Sequence, residues 1–327
     1  MRAFSYARAA TVDEALHLYA NRPDCRFIGG GTNLLDLMKM EVERPAHLID
    51  ISRIPLNKVE ERESGVRIGA MVTNSQAANN PLIRARFPLL SQAILAGASQ
   101  QLRNMATMGG NLLQRTRCYY FYDPTYQECN KRIPGSGCSA IKGINRIHAI
   151  LGASDECIAT HPSDMCVALA ALNATVQVQG SDGSRSIPFI DFHRLPGTTP
   201  QIETNLHPGE IITAIDLPNA AEGTRSHYLK VRDRNSYAFA LVSVATVLEL
   251  TANGAVRDIR IALGGVAHKP WRAMEAESYL TGHAPEAARI AAAADRELRA
   301  AKPHHGNAFK IELAKRAIVR AVTTAAA

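Results

Sequence analysis

Residues 106–118 read ATMGGNLLQRTRC, and they join a glycine pair to the first cysteine of an unusual segment. Three more cysteines follow before the sequence HPSDMC of residues 161–166 closes this segment. The four cysteines are separated by 10, 8 and 18 residues, with prolines and glycines between them: Cys118, Cys129, Cys138 and Cys157. This composition is typical of a loop and predicts no long helix or strand. The rest of the chain is expected to be scaffold around it.

A loop of this length needs something that orders it, because fixing the backbone costs about 1–2 kcal/mol per residue. Four thiolates suit either zinc or an iron–sulfur cluster, since both bind cysteine sulfur. Structural zinc usually takes closely spaced cysteine pairs, so the wide spacing favours a cluster. Ordinary thiols or two disulfides are the alternative that the residue types leave open. Basic residues among the cysteines would offset the negative charge of a thiolate-bound cluster: Arg115, Arg117, Lys131, Arg132, Lys142 and Arg146.

Length and composition bound the class of protein. A chain of 327 residues is expected to form two or three domains. With 46% hydrophobic and 20% charged residues it is globular. The net charge of +7 is spread along the chain and forms no basic run interleaved with aromatic residues, which indicates solubility and subunit contacts and not nucleic-acid binding. No apolar run reaches the roughly 18 residues that a membrane-spanning helix needs. Residues 1–10 lack the apolar region of a secretion signal, so none is expected.

A second glycine run lies near the start of the chain. The pattern predicts a strand over Cys25–Ile28, the turn GGGTN over residues 29–33, and a helix over 34–40. Glycines in such a turn let backbone N–H groups approach anionic oxygens. The run matches neither common nucleotide motif, and it is also consistent with an ordinary tight turn. A second glycine turn is expected at the pair 109–110, about 80 residues later, and the two turns could hold the two ends of one dinucleotide.

Hydrophobic patterning predicts the remaining elements. Residues 91–102 are apolar and rich in small residues, which predicts one buried helix. A turn is expected at Pro23. Strands between residues 228 and 263 predict an antiparallel sheet, and helices are expected from Trp271 onward. Strands followed by helices are typical of an α+β domain.

Three motifs, in this order and spacing, resemble the FAD-binding subunit of molybdenum hydroxylases, the xanthine dehydrogenase and aldehyde oxidoreductase family. They are FIGGGTNLL (27–35) with Met38-Lys39, Arg103-Asn104 through Gly109-Gly110-Asn111, and Pro162-Ser163-Asp164. The resemblance covers essentially the whole chain. It implies an α+β fold with a two-part FAD-binding domain of the PCMH/VAO-like type and a C-terminal domain of antiparallel sheet plus helices. The implied parts are residues 1–55, residues 56–218 with a cysteine-rich insert at about 115–160, and residues 219–327.

The cysteine loop directly after Gly-Gly-Asn is similar to that of the flavin subunit of three-subunit bacterial aldehyde oxidoreductases. That subunit holds a [4Fe–4S] cluster, as does the related 4-hydroxybenzoyl-CoA reductase. The resemblance therefore implies that Cys118, Cys129, Cys138 and Cys157 ligate such a cluster. Cys25 and Cys166 remain as small core residues.

The resemblance also implies the FAD contacts. Gly29 to Leu34 would wrap the pyrophosphate, while Asp164 would hydrogen-bond the ribose or adenine end. Lys230 falls where the family has a lysine near the isoalloxazine ring, and a cation there can stabilise reduced flavin. The complete expected set is Arg26, Phe27, Ile28, Gly29, Gly30, Gly31, Thr32, Asn33, Leu34, Thr107, Met108, Gly110, Asn111, Asp164 and Lys230.

The implied function is electron transfer within a heterotrimer. A large partner would oxidise an aldehyde at a molybdenum cofactor, a small partner would carry two [2Fe–2S] clusters, and FAD on this chain would pass electrons to an external acceptor. The chain carries no signature of the molybdenum cofactor or of a [2Fe–2S] cluster. Relatives of this type can be exported folded through a twin-arginine signal on the small subunit, so the periplasm is expected and the cytoplasm is the alternative. Two other functions stay open, a zinc-stabilised interaction subunit without flavin and a self-sufficient flavin oxidase.

Overall fold

The computed structural model describes residues 1–22 and 24–327 and contains three β-sheets, so the turn expected at Pro23 lies outside the described residues. The first sheet is parallel, with strands β1 (Ser5–Arg8), β2 (Cys25–Ile28) and β3 (His47–Asp50) in the order β1-β3-β2. The expected strand over Cys25–Ile28 is therefore confirmed.

The second sheet is antiparallel and has the strand order β4-β5-β8-β6-β7. Its strands are β4 (Val59–Arg62), β5 (Gly65–Gly69), β6 (Thr175–Gly180), β7 (Gly183–Pro188) and β8 (Ile211–Pro218). Strand β8 follows β7 along the chain but lies between β5 and β6, which brings the two ends of this long region into one sheet.

The third sheet is also antiparallel, in the order β12-β11-β10-β9. Its strands are β9 (Arg225–Val231), β10 (Val242–Leu250), β11 (Val256–Gly264) and β12 (Trp271–Arg272). The expected antiparallel sheet in the C-terminal part is confirmed, and the α+β class with it. The boundaries expected at 55/56 and 218/219 fall between the three sheets.

Fourteen α-helices and one 3-10 turn (Leu298–Ala300) connect and cover these sheets in the described part of the chain. The helices are α1 (Val12–Ala20), α2 (Leu34–Lys39), α3 (Asn74–Asn79), α4 (Pro81–Arg86), α5 (Pro88–Ala96), α6 (Gln100–Met105), α7 (Met108–Leu112), α8 (Tyr119–Tyr122), α9 (Ser139–Lys142), α10 (Asp164–Ala171), α11 (Phe189–Phe192), α12 (Met274–Leu280), α13 (Ala287–Glu297) and α14 (Phe309–Ala326). Among the described residues, no helix has both the length and the apolar character to cross a membrane.

The single helix expected over residues 91–102 is wrong in its extent. Helix α5 ends at Ala96 and α6 begins at Gln100, because Ala98 adopts a left-handed backbone with φ of +51°. Arg103 closes the break by donating from its guanidinium to the carbonyl of Gly97 at 2.6 Å. Composition predicted the buried α5 correctly, but apolar small residues alone do not reveal where a helix stops.

One core spans the second and third sheets. Helices α5 and α10 pack against the third sheet and α7 and α11 against the second, and residues such as Leu169, Val176 and Ala245 belong to the same buried cluster. A second core lies between the other face of the third sheet and helices α12 to α14, and it includes Ile150 of the cysteine-rich insert. The insert also has a small core of its own, which contains Cys118, Cys129 and Cys157.

The two glycine segments meet in the folded chain. A Cβ atom added at Gly30 would lie 1.8 Å from the carbonyl oxygen of Met105, and one added at Gly29 would lie 3.3 Å from Oγ1 of Thr107. Gly31 has a φ of +72°, a conformation that glycine adopts without strain. The turn after β2 therefore lies directly on the segment that leads into α7.

We expect Gly30→Ala to lower the free energy of unfolding by about 3 kcal/mol, because the backbone of Met105 has to move to admit a methyl group. Gly29→Ala is the matched control, since its methyl group would face the movable side chain of Thr107 and should cost much less. Thermal unfolding followed by circular dichroism measures both. Equal midpoints for the two variants would mean that the loops do not touch at Gly30.

Candidate functional site

The first glycine turn runs from the end of β2 into α2. Of the residues expected to bind FAD here, Arg26 is exposed and interacts with Glu43 at 3.7 Å, while Phe27 stacks on Tyr19 with ring centroids 5.2 Å apart. The side chain of Asn33 is used within the protein: its Oδ1 accepts from the backbone N–H of Arg115 at 2.9 Å. Because residues 29–31 are glycines, the surface of this turn consists of backbone atoms.

The second glycine segment is a helix and not the turn that the sequence predicted. Thr107 is the N-cap of α7, and its Oγ1 accepts from the backbone N–H of Gly110 at 3.1 Å. The N–H of Gly109 donates to the carbonyl of Ala70 at 2.8 Å. These bonds hold the glycine pair in the first turn of α7, and a Cβ at Gly109 would lie 3.0 Å from Cβ of Ala70. Glycine is needed there for close packing rather than for a chain reversal.

Asn111 joins three helices. Its Nδ2 donates to Oδ1 of Asn74 at 2.7 Å, and its Oδ1 accepts from the hydroxyl of Ser163 at 2.6 Å and from Nε2 of Gln114 at 2.7 Å. Ser163 in turn caps α10 by accepting from the N–H of Cys166. The expected FAD residue Asn111 therefore uses its amide to fix α7 against α3 and the start of α10.

Asp164 and Lys230 are bonded to each other. Nζ of Lys230 lies 2.8 Å from Oδ2 of Asp164 and donates to the carbonyl of Ala96 at 3.0 Å, while the hydroxyl of Tyr228 donates to Oδ1 of Asp164 at 2.6 Å. Burial and the negative charge of Asp164 raise the pKa of Tyr228, so the hydroxyl stays protonated as the donor. Asp164 and Lys230, which were expected at different ends of FAD, therefore lie side by side, and their contacts with FAD stay a prediction.

The four cysteines of the insert come together. The backbones of Cys129 and Cys138 pair as an isolated antiparallel β-bridge. All six cysteines of the chain are free thiols, so the structure does not contain the disulfides that the residue types left open. Burial raises the pKa of the Cys118 thiol to about 12. A hydrogen bond from the Cys157 thiol lowers the pKa of Cys138 to about 6 and raises that of Cys157.

Backbone N–H groups near three of these sulfurs act to lower the pKa of the thiols. They belong to residues 120 and 121 near Cys118, to residues 140, 141 and 158 near Cys138, and to residue 159 near Cys157. Donors of this kind stabilise thiolates, which are the form that binds metal. The short helices α8 and α9, each beginning just after a cysteine, supply several of them.

The spacing of the sulfurs argues against a single zinc ion. Over residues 1–22 and 24–327, no three of the four insert cysteines have their sulfurs within 4.8 Å of one another. Four sulfurs bound to one zinc ion at about 2.3 Å would lie roughly 3.8 Å apart.

The insert is attached to the first glycine turn. The Tyr122 hydroxyl accepts from Nδ2 of Asn33 at 3.2 Å and from the Arg117 guanidinium at 2.5 Å. Leu37 of α2 is fully buried in the core that surrounds Cys118. The glycine turn, α2 and the cysteine loop therefore form one packed unit.

The basic residues of the insert mostly do not face the sulfurs. Arg115 lies 2.7 Å from Glu203 and also pairs with Glu43, and Lys131 pairs with Glu203 and donates to the carbonyl of Pro200 at 3.0 Å. Arg117 pairs with Asp36, and Arg146 with Asp233. The charge compensation expected for the cluster is thus largely used in ion pairs that hold the insert against the first and second sheets.

A cavity of about 660 Å³ lies beside these ion pairs, and it is lined by three histidines that no sequence pattern predicted, two of them buried and one half-buried. They are His161, His193 and His268, and Arg26, Phe27 and Glu203 also line the cavity. Burial lowers the pKa of His193 to about 4 and that of His268 to about 3, so these rings are neutral. No periodicity or motif links these residues, which come from three separate loops.

His161 and His193 also lie close to Cys166: a ring nitrogen of each histidine and the cysteine sulfur are within 4.8 Å of one another. Nε2 of His193 donates to the carbonyl of Leu112 at 2.8 Å, which leaves its Nδ1 as an acceptor. Nδ1 of His161 faces the N–H of Ser163 at 3.4 Å, which leaves its Nε2 as a donor. One donor beside one acceptor suits a neutral polar group better than a cation, and Cys166 is fully buried as expected of a core residue.

Comparisons with known proteins cover the whole chain. Residues 2–220 match the family described as the FAD binding domain in molybdopterin dehydrogenase, and residues 227–325 match the CO dehydrogenase flavoprotein C-terminal domain. The chain is 50% identical to the aldehyde oxidoreductase FAD-binding subunit PaoB of Escherichia coli K12, over 100% of this chain and 99% of that protein. It is 32% identical to the glyceraldehyde dehydrogenase medium chain of Sulfolobus acidocaldarius, over 85% and 81% of the two chains.

A solved structure has the same architecture. Carbon monoxide dehydrogenase from Hydrogenophaga pseudoflava, in a form that lacks the molybdenum–pyranopterin moiety, aligns with a TM-score of 0.78 and 29% identity. The alignment covers 99% of this chain and 97% of the other. The likeness extends through all three sheets and not only the glycine segments.

Glu203 should make stability depend on pH. Burial by itself would raise the pKa of its carboxyl, but Lys131 and Arg115 outweigh burial and hold the pKa far below its usual 4.5. A carboxyl whose pKa is depressed by folding contributes stability above its unfolded pKa and loses it as the pH falls. We therefore expect Glu203→Gln to cost about 3 kcal/mol at neutral pH, because it leaves two cations without their partner.

The cost should shrink as the pH falls from about 5 toward about 2, because the wild-type carboxylate becomes protonated over that range. Urea unfolding at a series of pH values measures it, with the exposed Glu222→Gln as the matched control. A cost that stayed constant with pH would mean that the carboxylate charge does not stabilise the insert.

Proposed function

The chain belongs to the FAD-binding subunits of the molybdenum hydroxylases, and from this we propose that it is the electron-transfer subunit of a molybdenum-containing aldehyde oxidoreductase that binds FAD and a [4Fe–4S] cluster. The observation that carries the proposal is the 50% identity, from end to end, to an aldehyde oxidoreductase FAD-binding subunit. Members of this family are components of oxidoreductase complexes, so the chain itself is a subunit of an oxidoreductase.

The residues of the two glycine segments fit a flavin dinucleotide. Glycines 29–31 would present backbone N–H groups to the pyrophosphate, and residues 107–111 would line the other side. A side chain at Gly30 would collide with the Met105 carbonyl, so the cradle can close only without one. When bound, FAD supplies a centre that accepts electrons singly and releases them in pairs.

Lys230 and Asp164 would lie on the same side of the cofactor, because they form an ion pair. Their ion pair is buried, with 5% and 6% of the side chains exposed, so the lysine is held in a fixed position by the carboxylate. Two of the three N–H donors of Lys230 are used within the protein, by Asp164 and by the Ala96 carbonyl. The third donor would serve the flavin.

The insert fits an iron–sulfur cluster by three criteria. It offers four cysteines gathered in one small core, backbone N–H groups near three of their sulfurs and, among the described residues, no three of these sulfurs within 4.8 Å of one another, as one zinc ion would need. Cys118, Cys129, Cys138 and Cys157 would be the ligands. A cluster of this type supplies a one-electron centre and also cross-links the chain at four points.

We infer that the cross-link is the main task of the cluster. The bonds from Arg115 and Tyr122 to Asn33 tie the cysteine loop to the glycine turn, so loss of order in the loop would reach the FAD cradle. We also propose that the chain assembles with a large subunit that binds the molybdenum cofactor and a small subunit that carries two [2Fe–2S] clusters, and that an external protein or small molecule takes up the electrons. Co-export to the periplasm with a partner that bears a twin-arginine signal is part of the same proposal.

Composition of the purified complex tests the function. We expect about one FAD and about eight irons per complex, about four from the cluster on this chain and about four from the two [2Fe–2S] clusters of the small partner, seen as flavin absorbance after denaturation and as iron by elemental analysis. A colourless chain that contains zinc would support an interaction subunit instead. A yellow chain without iron that oxidises small alcohols or aldehydes by itself would support a self-sufficient flavin oxidase.

Cys129→Ser should separate a structural role of the cluster from a role in electron delivery. Loss of one ligand removes the cross-link, so we expect iron, flavin content and the midpoint of thermal unfolding to fall together. Cys25→Ser, in the core of the first sheet, is the control and should keep both cofactors. Iron loss with full flavin content and an altered preference among electron acceptors would instead mean that the cluster delivers electrons.

A further inference from the structure

His148 contacts one of the four cysteines directly. Its Nε2 lies 3.1 Å from Sγ of Cys118, and both residues are buried, with 1% and 7% of their surface exposed. A separation of this size is within hydrogen-bonding range for a nitrogen and a sulfur. The contact joins residues 30 positions apart in the chain, and no motif in the sequence suggests it.

The chemistry of the sulfur decides the direction of the bond. A thiolate that ligates iron has lone pairs and no proton, so the ring nitrogen that faces it has to be the donor. The ring therefore carries a proton on Nε2, while Nδ1 has no hydrogen-bond partner within the described residues.

The ring is held in place from the C-terminal domain. The carbonyl of His148 accepts from Nζ of Lys310 at 2.8 Å and from Nδ2 of Asn307 at 3.2 Å, and its N–H donates to the carbonyl of Asn145 at 3.0 Å. Lys310 is fully buried and also bonds to the carbonyl of Gly265. These bonds fix the backbone on which the imidazole stands, so the donor is positioned before any cofactor is bound.

We propose that His148 is a positioning residue that donates its Nε2–H to the Cys118 thiolate and so raises the reduction potential of the cluster. This inference rests on the proposed [4Fe–4S] cluster. Hydrogen bonds to cluster sulfurs raise the potential because the reduced cluster is the more negative state and gains more from a nearby donor. His148 lies in the insert, and Asn307 and Lys310 of the C-terminal domain hold the backbone that carries it.

The first test is a redox titration of the cluster in the intact complex, followed by electron paramagnetic resonance. We expect His148→Leu to retain iron and to lower the ratio of reduced to oxidised cluster about tenfold at a fixed potential, which is 59 mV for one electron. His148→Gln keeps an N–H donor and should recover part of the difference. The exposed His283→Leu is the matched control. An unchanged midpoint in His148→Leu with full iron content would overturn the inference.

The second test uses the wild-type complex, so it does not depend on the folding of a variant. Pulsed electron paramagnetic resonance of the reduced cluster, with all histidines labelled with ¹⁵N, should detect one weakly coupled histidine nitrogen. No coupling would overturn the inference, and strong coupling would also do so, because it would mean that His148 ligates iron directly. A wild-type complex in which this chain holds no [4Fe–4S] cluster would instead refute the proposed function, which keeps the two failures distinct.

Discussion

The contact between the backbone of Gly30 and the carbonyl of Met105 is the constraint on which the arrangement of the site depends. It is possible only because residue 30 has no side chain. The contact sets the first glycine turn on the segment that leads into α7, and it therefore joins the small parallel sheet to the five-stranded sheet. The cradle for the dinucleotide is made from two parts of the chain, so its shape depends on how closely these parts approach.

The cysteine-rich insert is attached to every part of the molecule. Asn33 and Leu37 connect it to the first glycine turn, and the ion pairs around Glu203 connect it to the loops of the second sheet. On the other side, the N–H groups of Ile150 and Leu151 donate to the carbonyl of Val266 in the C-terminal domain at 2.9 and 3.0 Å. Contacts with the neighbouring domains therefore order this loop together with its proposed metal centre. Because the loop also contacts the first glycine turn, a cluster that orders the loop could support flavin binding without carrying electrons.

Several side chains that family resemblance connects with the flavin are engaged within the protein. The amides of Asn33 and Asn111, the carboxylate of Asp164 and the ammonium of Lys230 all bind other residues of this chain. Buried polar groups have to find partners, and here they find them in one another. These bonds therefore hold the side chains around the proposed cradle in position, and they leave the backbone of the glycines and the third donor of Lys230 for the cofactor.

The sequence by itself determined the strand and the glycine turn at residues 25–33, the antiparallel C-terminal sheet, the irregular cysteine segment and the family, because these depend on local patterns and on motif order. Only the tertiary structure decided that residues 108–112 are helical, since the cap of Thr107 acts together with hydrogen bonds to the distant Ala70 and Val72. It alone decided that Asp164 meets Lys230, that His148 meets Cys118, and that three histidines share one cavity. The physical reason is that a side-chain hydrogen bond depends on distances in space between residues far apart in the chain, and neither periodicity nor composition records them.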